Sequence, residues 1–401
     1  MKPLKLFLYS YALAMNVVVG ALFLIATRRF AGESSNALQG ALAVAMWSGT
    51  YAVLSFAIGG RLKKENAERW LIFGTALTAA ASVGFVVFPQ IMMQYVWIFL
   101  VGVGFAFYCT PFQMIMREAE EGEHNGIARA VALYSFSYSF GVAAGPFIAG
   151  MLWNIHPEYG WKAAYLLNAV LAAAIALTVR PLRRYMARNR TAPSVDATFD
   201  HSLKLDAKNL PVTSAMPDLA PLGWTMLVVG MCGISLIRSL FPYKSTVLHI
   251  SIADLGAITA LVYFTHSGFS LLLIRSREWM YRPFFPVLFT LSGLAAMVLF
   301  GLGQAVWQFY LAALLMGLFS GMYGFCFGFF SLSHPTRSAR YVSINEALVG
   351  AVGVAAPIAG GLLGNMVGFN GPFLYCAGLV LLLIGFELLT YRLARKARNF
   401  A

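Results

Sequence analysis

Acidic residues are scarce in this 401-residue chain: Asp and Glu together number 16, and charged residues of all kinds make up 11%. A soluble domain carries about 25% charged and roughly 45–50% apolar residues, whereas this chain is 59% hydrophobic. A water-soluble fold could not hide so much apolar surface, so lipid must be the solvent for most of it. Cysteine is equally sparse. Cys109, Cys232, Cys326 and Cys376 each lie inside an apolar run and none has CxxC spacing. That excludes a disulfide framework and a zinc knuckle and leaves them as small packing residues. There is no GxxxxGK[ST] segment, nor even a Gly-Lys pair, which argues against ATP-driven pumping. Gly324, Cys326 and Gly328 imitate the spacing of a nucleophile elbow, but inside an apolar helix with no strand before it they read as glycine packing. His201 between Asp200 and Asp206 lies in a polar stretch with no further ligand near it. Neither an enzyme nor a metal site is expected, and no cofactor.

Lys and Arg number 29, giving a net charge of +13. They form no continuous basic face with interleaved aromatics, so nucleic acid is not the expected partner. They fall in short connections between apolar runs, which we place near 5–27, 37–58, 70–88, 91–116, 128–153, 161–180, 222–243, 254–274, 284–303, 305–330, 341–366 and 369–391. Runs of this length are helices, because backbone groups in hydrocarbon must pair internally and barrel strands are much shorter. Numbered in order, the runs put all the Lys and Arg on one side except Arg28, Arg29, Lys162, Arg238 and Lys244. Basic loops stay in the cytoplasm. The asymmetry therefore predicts a multi-pass protein with both termini cytoplasmic, expected in a bacterial inner membrane, in contact with lipid and acting as a monomer. Lys2, Lys5 and Ala12-Leu13-Ala14 mimic a signal peptide, but the apolar run continues to Ile25 and reads as the first span.

The fold class predicted is an all-α membrane protein of twelve transmembrane helices in two pseudo-symmetric six-helix bundles, residues 1–180 and 222–401. Residues 181–221, polar and carrying Pro193, Pro211 and Pro217, form a cytoplasmic linker. The bundles carry a repeat. Ala128–Asn154 aligns without gaps on Ala339–Asn365, matching Arg129 to Arg340, Pro146 to Pro357 and Gly150 to Gly361. Internal repeats of spans are a mark of many secondary transporters.

In the fifth span Gly141, Gly145, Pro146 and Gly150 put small residues four apart, which lets helix backbones approach closely, and Pro146 permits a bend. Gly353, Pro357 and Gly361 repeat the design in the eleventh span. The fifth-span pattern resembles the GxxxGPxxGG motif of the major facilitator superfamily, with Ala149 in place of one glycine. The stretch from Gly60 and Leu62 to Arg69 resembles that family's GxLxDxxGRR inner-loop signature, with Lys64 at the Asp position and Ala67 at the second glycine. Gly102, Gly104 and Ala106 are similar to its fourth-span motif, with Ile98 at the Arg position. The resemblance covers essentially the whole chain. It implies secondary active transport by alternating access, with the first, fourth, seventh and tenth spans lining a central cavity. The missing fourth-span Arg, and the absence of Asp and Glu from the interiors of spans one to six, demote a cationic-drug exporter.

Ionisable groups within a membrane are rare and usually functional. Arg238 in span seven is thereby placed to face the cavity, where its fork of donors suits a carboxylate or phosphate. His266 in span eight could carry a coupled proton. Glu346 in span eleven could do so too, or pair with Arg340 or Arg337 as an inner gate. Glu387 in span twelve is expected to be structural. Asn16, Tyr51, Gln113, Tyr134, Tyr138 and Tyr323 complete an amphipathic pocket; Tyr134 and Tyr138 lie one turn apart on one face. The function expected is carriage of a small organic anion or amphipathic metabolite, coupled to protons. The alternatives are multidrug or lipid export and a non-transporting membrane sensor or scaffold.

Overall fold

A computed structural model describes residues 3–59, 61–120, 126–188, 218–273, 282–332 and 338–399. Among these residues the chain forms twelve helices and no strand: α1 (Pro3–Glu33), α2 (Ala37–Gly59), α3 (Lys64–Val87), α4 (Ile91–Glu120), α5 (Gly126–Ile155), α6 (Gly160–Arg188), α7 (Ala220–Val247), α8 (Ile252–Leu273), α9 (Phe284–Leu302), α10 (Val306–Leu332), α11 (Ser338–Val367) and α12 (Gly371–Asn399). Each is long and apolar enough to cross a membrane. The sixth runs through Pro181 to Arg188, further than its apolar stretch alone predicts. Tight turns join the ends: Ile250 N–H donates to Ser245 O across the α7–α8 connection, and Gly368, at φ 77°, takes the left-handed conformation between α11 and α12.

The helix pairings repeat with a shift of six. α1 packs on α5 as α7 packs on α11, α2 on α4 as α8 on α10, α3 on α6 as α9 on α12. The two sixes meet through α5 on α8 and α2 on α11, themselves symmetry mates, and through α1 on α7.

Glycines and one proline decide how close these helices come. A Cβ on Gly141 or Gly145 would run into the α1 backbone at Leu13 or Val17, so both serve packing within the first bundle. Gly150 instead lies against Gly256 of α8, across the interface, and Gly353 and Gly361 lie against Ser48 and Ala41 of α2, also across it. Pro146 lacks the N–H that would bond Val142 O, and that carbonyl faces Gly20 of α1.

Among the described residues the cross-bundle hydrogen bonds gather at the end of the molecule away from the chain termini. Arg28 Nη1 donates to Pro242 O and Ser245 Oγ, both at 3.3 Å, and to Thr246 Oγ1. Asn365 accepts from Ala37 N–H at 2.9 Å and donates to Asn36 Oδ1 at 2.7 Å. Gly40 N–H donates to the Tyr243 hydroxyl at 3.0 Å. At the other end the described ion pairs stay within the first bundle: Arg180 with Glu68, and Arg183 with Glu68 and Glu118. The molecule is thus sealed at the terminus-distal end. Between the bundles at the opposite end, side chains such as Gln113, Tyr138 and Glu346 are exposed.

Candidate functional site

Arg238 sits on α7, four residues before Pro242, whose missing N–H leaves the Arg238 carbonyl without its helical partner. The Arg238 guanidinium lies between two rings, 5.3 Å from Phe23 of α1 and 5.1 Å from Tyr263 of α8. The phenols of Tyr138, Tyr263 and Tyr323 interact with it electrostatically. Among the described residues no carboxylate comes within ion-pairing distance of it. Arg238 is half-buried, and the ring faces and phenols offset part of the desolvation of its charge. A narrow cleft lined by Gly20, Phe23, Thr27, Pro242 and Thr259 rises from Arg238 toward the sealed end.

Toward the open end a second group forms around Cys109 of α4. The Tyr51 hydroxyl donates to Cys109 Sγ at 3.4 Å, the Tyr134 hydroxyl lies at 3.3 Å from it, and Gln113 Nε2 donates at 3.7 Å. Tyr138 packs on Tyr134, ring centres 6.3 Å apart. Tyr51 stacks on Trp47, which meets Phe23 edge to face. A continuous aromatic wall therefore runs from Cys109 to Arg238. Of the expected pocket residues, the structure brings Tyr51, Gln113, Tyr134 and Tyr138 together, with Tyr323 behind Arg238 and buried against Gly230.

Asn16 does not join them. It is 1% exposed, its side chain donates back to Ala12 O at 2.7 Å, and its Cβ packs against Gly141. An amide that bonds its own helix and faces a glycine groove has no reach into a cavity.

His266 Nδ1 is 3.0 Å from Ser320 Oγ, which in turn lies 3.1 Å from Gly317 O. The His266–Ser320 hydrogen bond runs in the direction that the imidazole tautomer sets. The ring lies in the α8–α10 interface against Gly324. Glu346 is exposed and interacts electrostatically with Tyr51 and Tyr138. It makes no ion pair with Arg340, and Arg337 lies outside the described residues. Glu387 is fully buried, its Oε1 accepting from Thr290 of α9 at 2.7 Å.

In the inner-loop motif Leu62 packs on the core and Arg69 is exposed, while Gly60 lies outside the described residues, as do His201, Asp200 and Asp206. Asn66 closes the loop, accepting from Lys63 N–H at 2.8 Å and donating to Arg61 O at 3.1 Å. No cluster of three or more His, Cys, Asp or Glu that could hold a metal occurs among the described residues.

Phe23, Tyr263 and Cys109 are residues of the candidate site that the sequence pattern did not single out. Tyr263 precedes His266 by one helical turn, and that i, i+3 spacing was the available signal. Phe23 and Cys109 look like ordinary apolar-run residues.

A model described as Major Facilitator Superfamily matches residues 7–273. No curated protein matches the sequence closely enough to count as a relative. Among solved structures, the nucleoside transporter NupG is 14% identical with a TM-score of 0.68, over 98% of this chain and 99% of that one. The xylose transporter XylE from E. coli, in an inward-open conformation, is 11% identical with a TM-score of 0.69 over 96% of each chain. A bacterial homologue of the human lysosomal transporter Spinster, inward-facing and occupied, is 14% identical with a TM-score of 0.65 over 98% of each. At such identities the likeness is one of fold.

Proposed function

The chain belongs to the major facilitator superfamily, and from that premise we propose that it carries a small organic anion across the membrane by proton-coupled alternating access. The observation that carries the anion reading is Arg238: a central guanidinium with ring faces and phenols around it and no carboxylate in ion-pairing distance among the described residues. A substrate anion supplies the missing charge through a charge-assisted, bidentate contact. The same lack of acidic groups speaks against cationic cargo. Export of amphipathic compounds is the second reading, favoured by the phenol-rich wall around Cys109.

Glu346 is the better placed of the two proton carriers, since it opens to the cavity near Tyr51 and Tyr138, whereas His266 is turned onto Ser320. The basic loops support cytoplasmic termini in a bacterial inner membrane, which makes the open end the cytoplasmic one. A monomer has both bundles it needs for the cycle, and lipid covers the outside.

Proteoliposomes holding only this protein test the reading. Labelled methanesulfonate and benzenesulfonate are suitable probes, because they do not cross lipid as neutral acids. Counterflow of either is expected in wild type and lost in Arg238→Gln; equal flux in both proteins would remove Arg238 as the anchor. An imposed pH gradient should drive uptake in wild type and not in Glu346→Gln, which should still exchange. A pH gradient without effect on wild type would exclude proton coupling.

A further inference from the structure

Resting on the anion reading of Arg238, we infer that the substrate is a planar aromatic monoanion. Its charged group meets the guanidinium, and its ring lies among Tyr134, Tyr138 and Tyr263. The charge count comes first. Among the described residues Arg238 is the cation at the site, and Arg28 is held away from it at the seal by Pro242 O, Ser245 and Thr246. Lys244 is buried with its ammonium on Phe300 O and Gly301 O, at 2.8 and 2.5 Å. Glu346 interacts electrostatically with Tyr138, which itself interacts with Arg238. A second negative charge on the substrate would meet Glu346 with no further cation among the described residues to answer it, so a dianion is disfavoured.

The wall decides the body of the molecule. Of the phenols, Tyr263 lies 5.1 Å from the Arg238 guanidinium and Tyr138 interacts with it electrostatically, while Tyr51 and Tyr134 continue the wall from Cys109. Rings offer flat faces and edges that pack best against another flat ring. Arg238 is itself held between ring faces, which fixes its fork beside them. Beyond the phenols, Gln113 is the polar side chain of the group around Cys109. A wall of flat rings favours a flat ring over a saturated one of the same size.

Calorimetric binding to the purified full-length protein at neutral pH tests this with three probes: benzoate, cyclohexanecarboxylate and isophthalate. Benzoate is expected to bind about three- to tenfold tighter than the saturated ring of the same size, and tighter than isophthalate. Tyr263→Leu should erase the benzoate preference, and Tyr263→Phe should keep it. Cyclohexanecarboxylate binding as tightly as benzoate would overturn the aromatic inference, and isophthalate binding tighter would overturn the single charge. Either result would leave Arg238 as an anion anchor. Failure of all three probes on wild type, or equal binding to Arg238→Gln, would instead sink the anion reading itself. Should Arg238→Gln not fold, the ranking of the probes on wild type still decides the inference.

Discussion

Arg28 on α1 donates to the Pro242 carbonyl on α7 at 3.3 Å, and so joins the bundles at the sealed end by a contact that uses no carboxylate. The same Nη1 also reaches Ser245 and Thr246 of α7. Pro242 ties this seal to the site, because it lines the cleft above Arg238 one turn further along the same helix. Opening that end to the substrate path therefore requires the Arg28 bonds to break.

Replacing Arg28 by Gln should favour the conformation open at that end. Hydrogen bonds to a charged group contribute about 1.5–3 kcal/mol, so the open population should rise about tenfold or more. The readout is alkylation of Thr27→Cys, in a background with the four native cysteines replaced, by an impermeant maleimide added from the sealed side. Thr27 is fully buried in the closed arrangement. An unchanged labelling rate would show that Arg28 does not hold the seal.

Gly256→Val should disrupt the α5–α8 crossing. A Cβ there would sit 3.1 Å from the Gly150 Cα and closer still to Pro146 O, both backbone atoms that cannot step aside. Overpacking of this kind costs about 1–3 kcal/mol, seen as a lower melting temperature or as loss of transport with folding retained. Gly268→Ala on the same helix, with open space around it, is the matched control and should change neither.

Lys244→Met should lower the melting temperature. The ammonium caps the last turn of α9, where the carbonyls lack helical partners, and lies 5.4 Å from the centre of the Phe309 ring. Losing those contacts while keeping the volume should cost about 2–3 kcal/mol. A melting point equal to wild type would mean that the cap adds nothing.

Thr290→Val should destabilise the protein. Thr290 supplies the hydrogen bond to the buried Glu387, whose Oε2 has no partner among the described residues. Removing the donor leaves a buried acid unsatisfied, at a cost of about 1–3 kcal/mol. Equal melting points for Thr290→Val and wild type would contradict this pairing.

Twelve apolar runs, their alternating basic loops and the repeat from Ala128 to Ala339 were legible in the sequence, because lipid imposes length and composition one segment at a time. The same reading singled out Arg238, since a charge in an apolar run stands out whatever surrounds it. It also marked five basic residues on the unexpected side, and the structure gives each a contact. Arg28 crosses to α7, Arg29 donates to Pro89 O at 2.6 Å over the Trp161 ring, and Lys162 lies over Tyr159. Lys244 caps α9, and Arg238 stands in the site.

Which face of each helix meets which neighbour was decided only by the tertiary structure. A helix that is apolar all round carries no moment to orient it, so rotation is set by glycine contacts such as Gly141 on Leu13 and Gly150 on Gly256. That rotation turned Asn16 away from the cavity and brought Phe23 and Tyr263 onto Arg238. It also gathered Tyr51, Tyr134 and Gln113 around a cysteine that the sequence offered as mere packing.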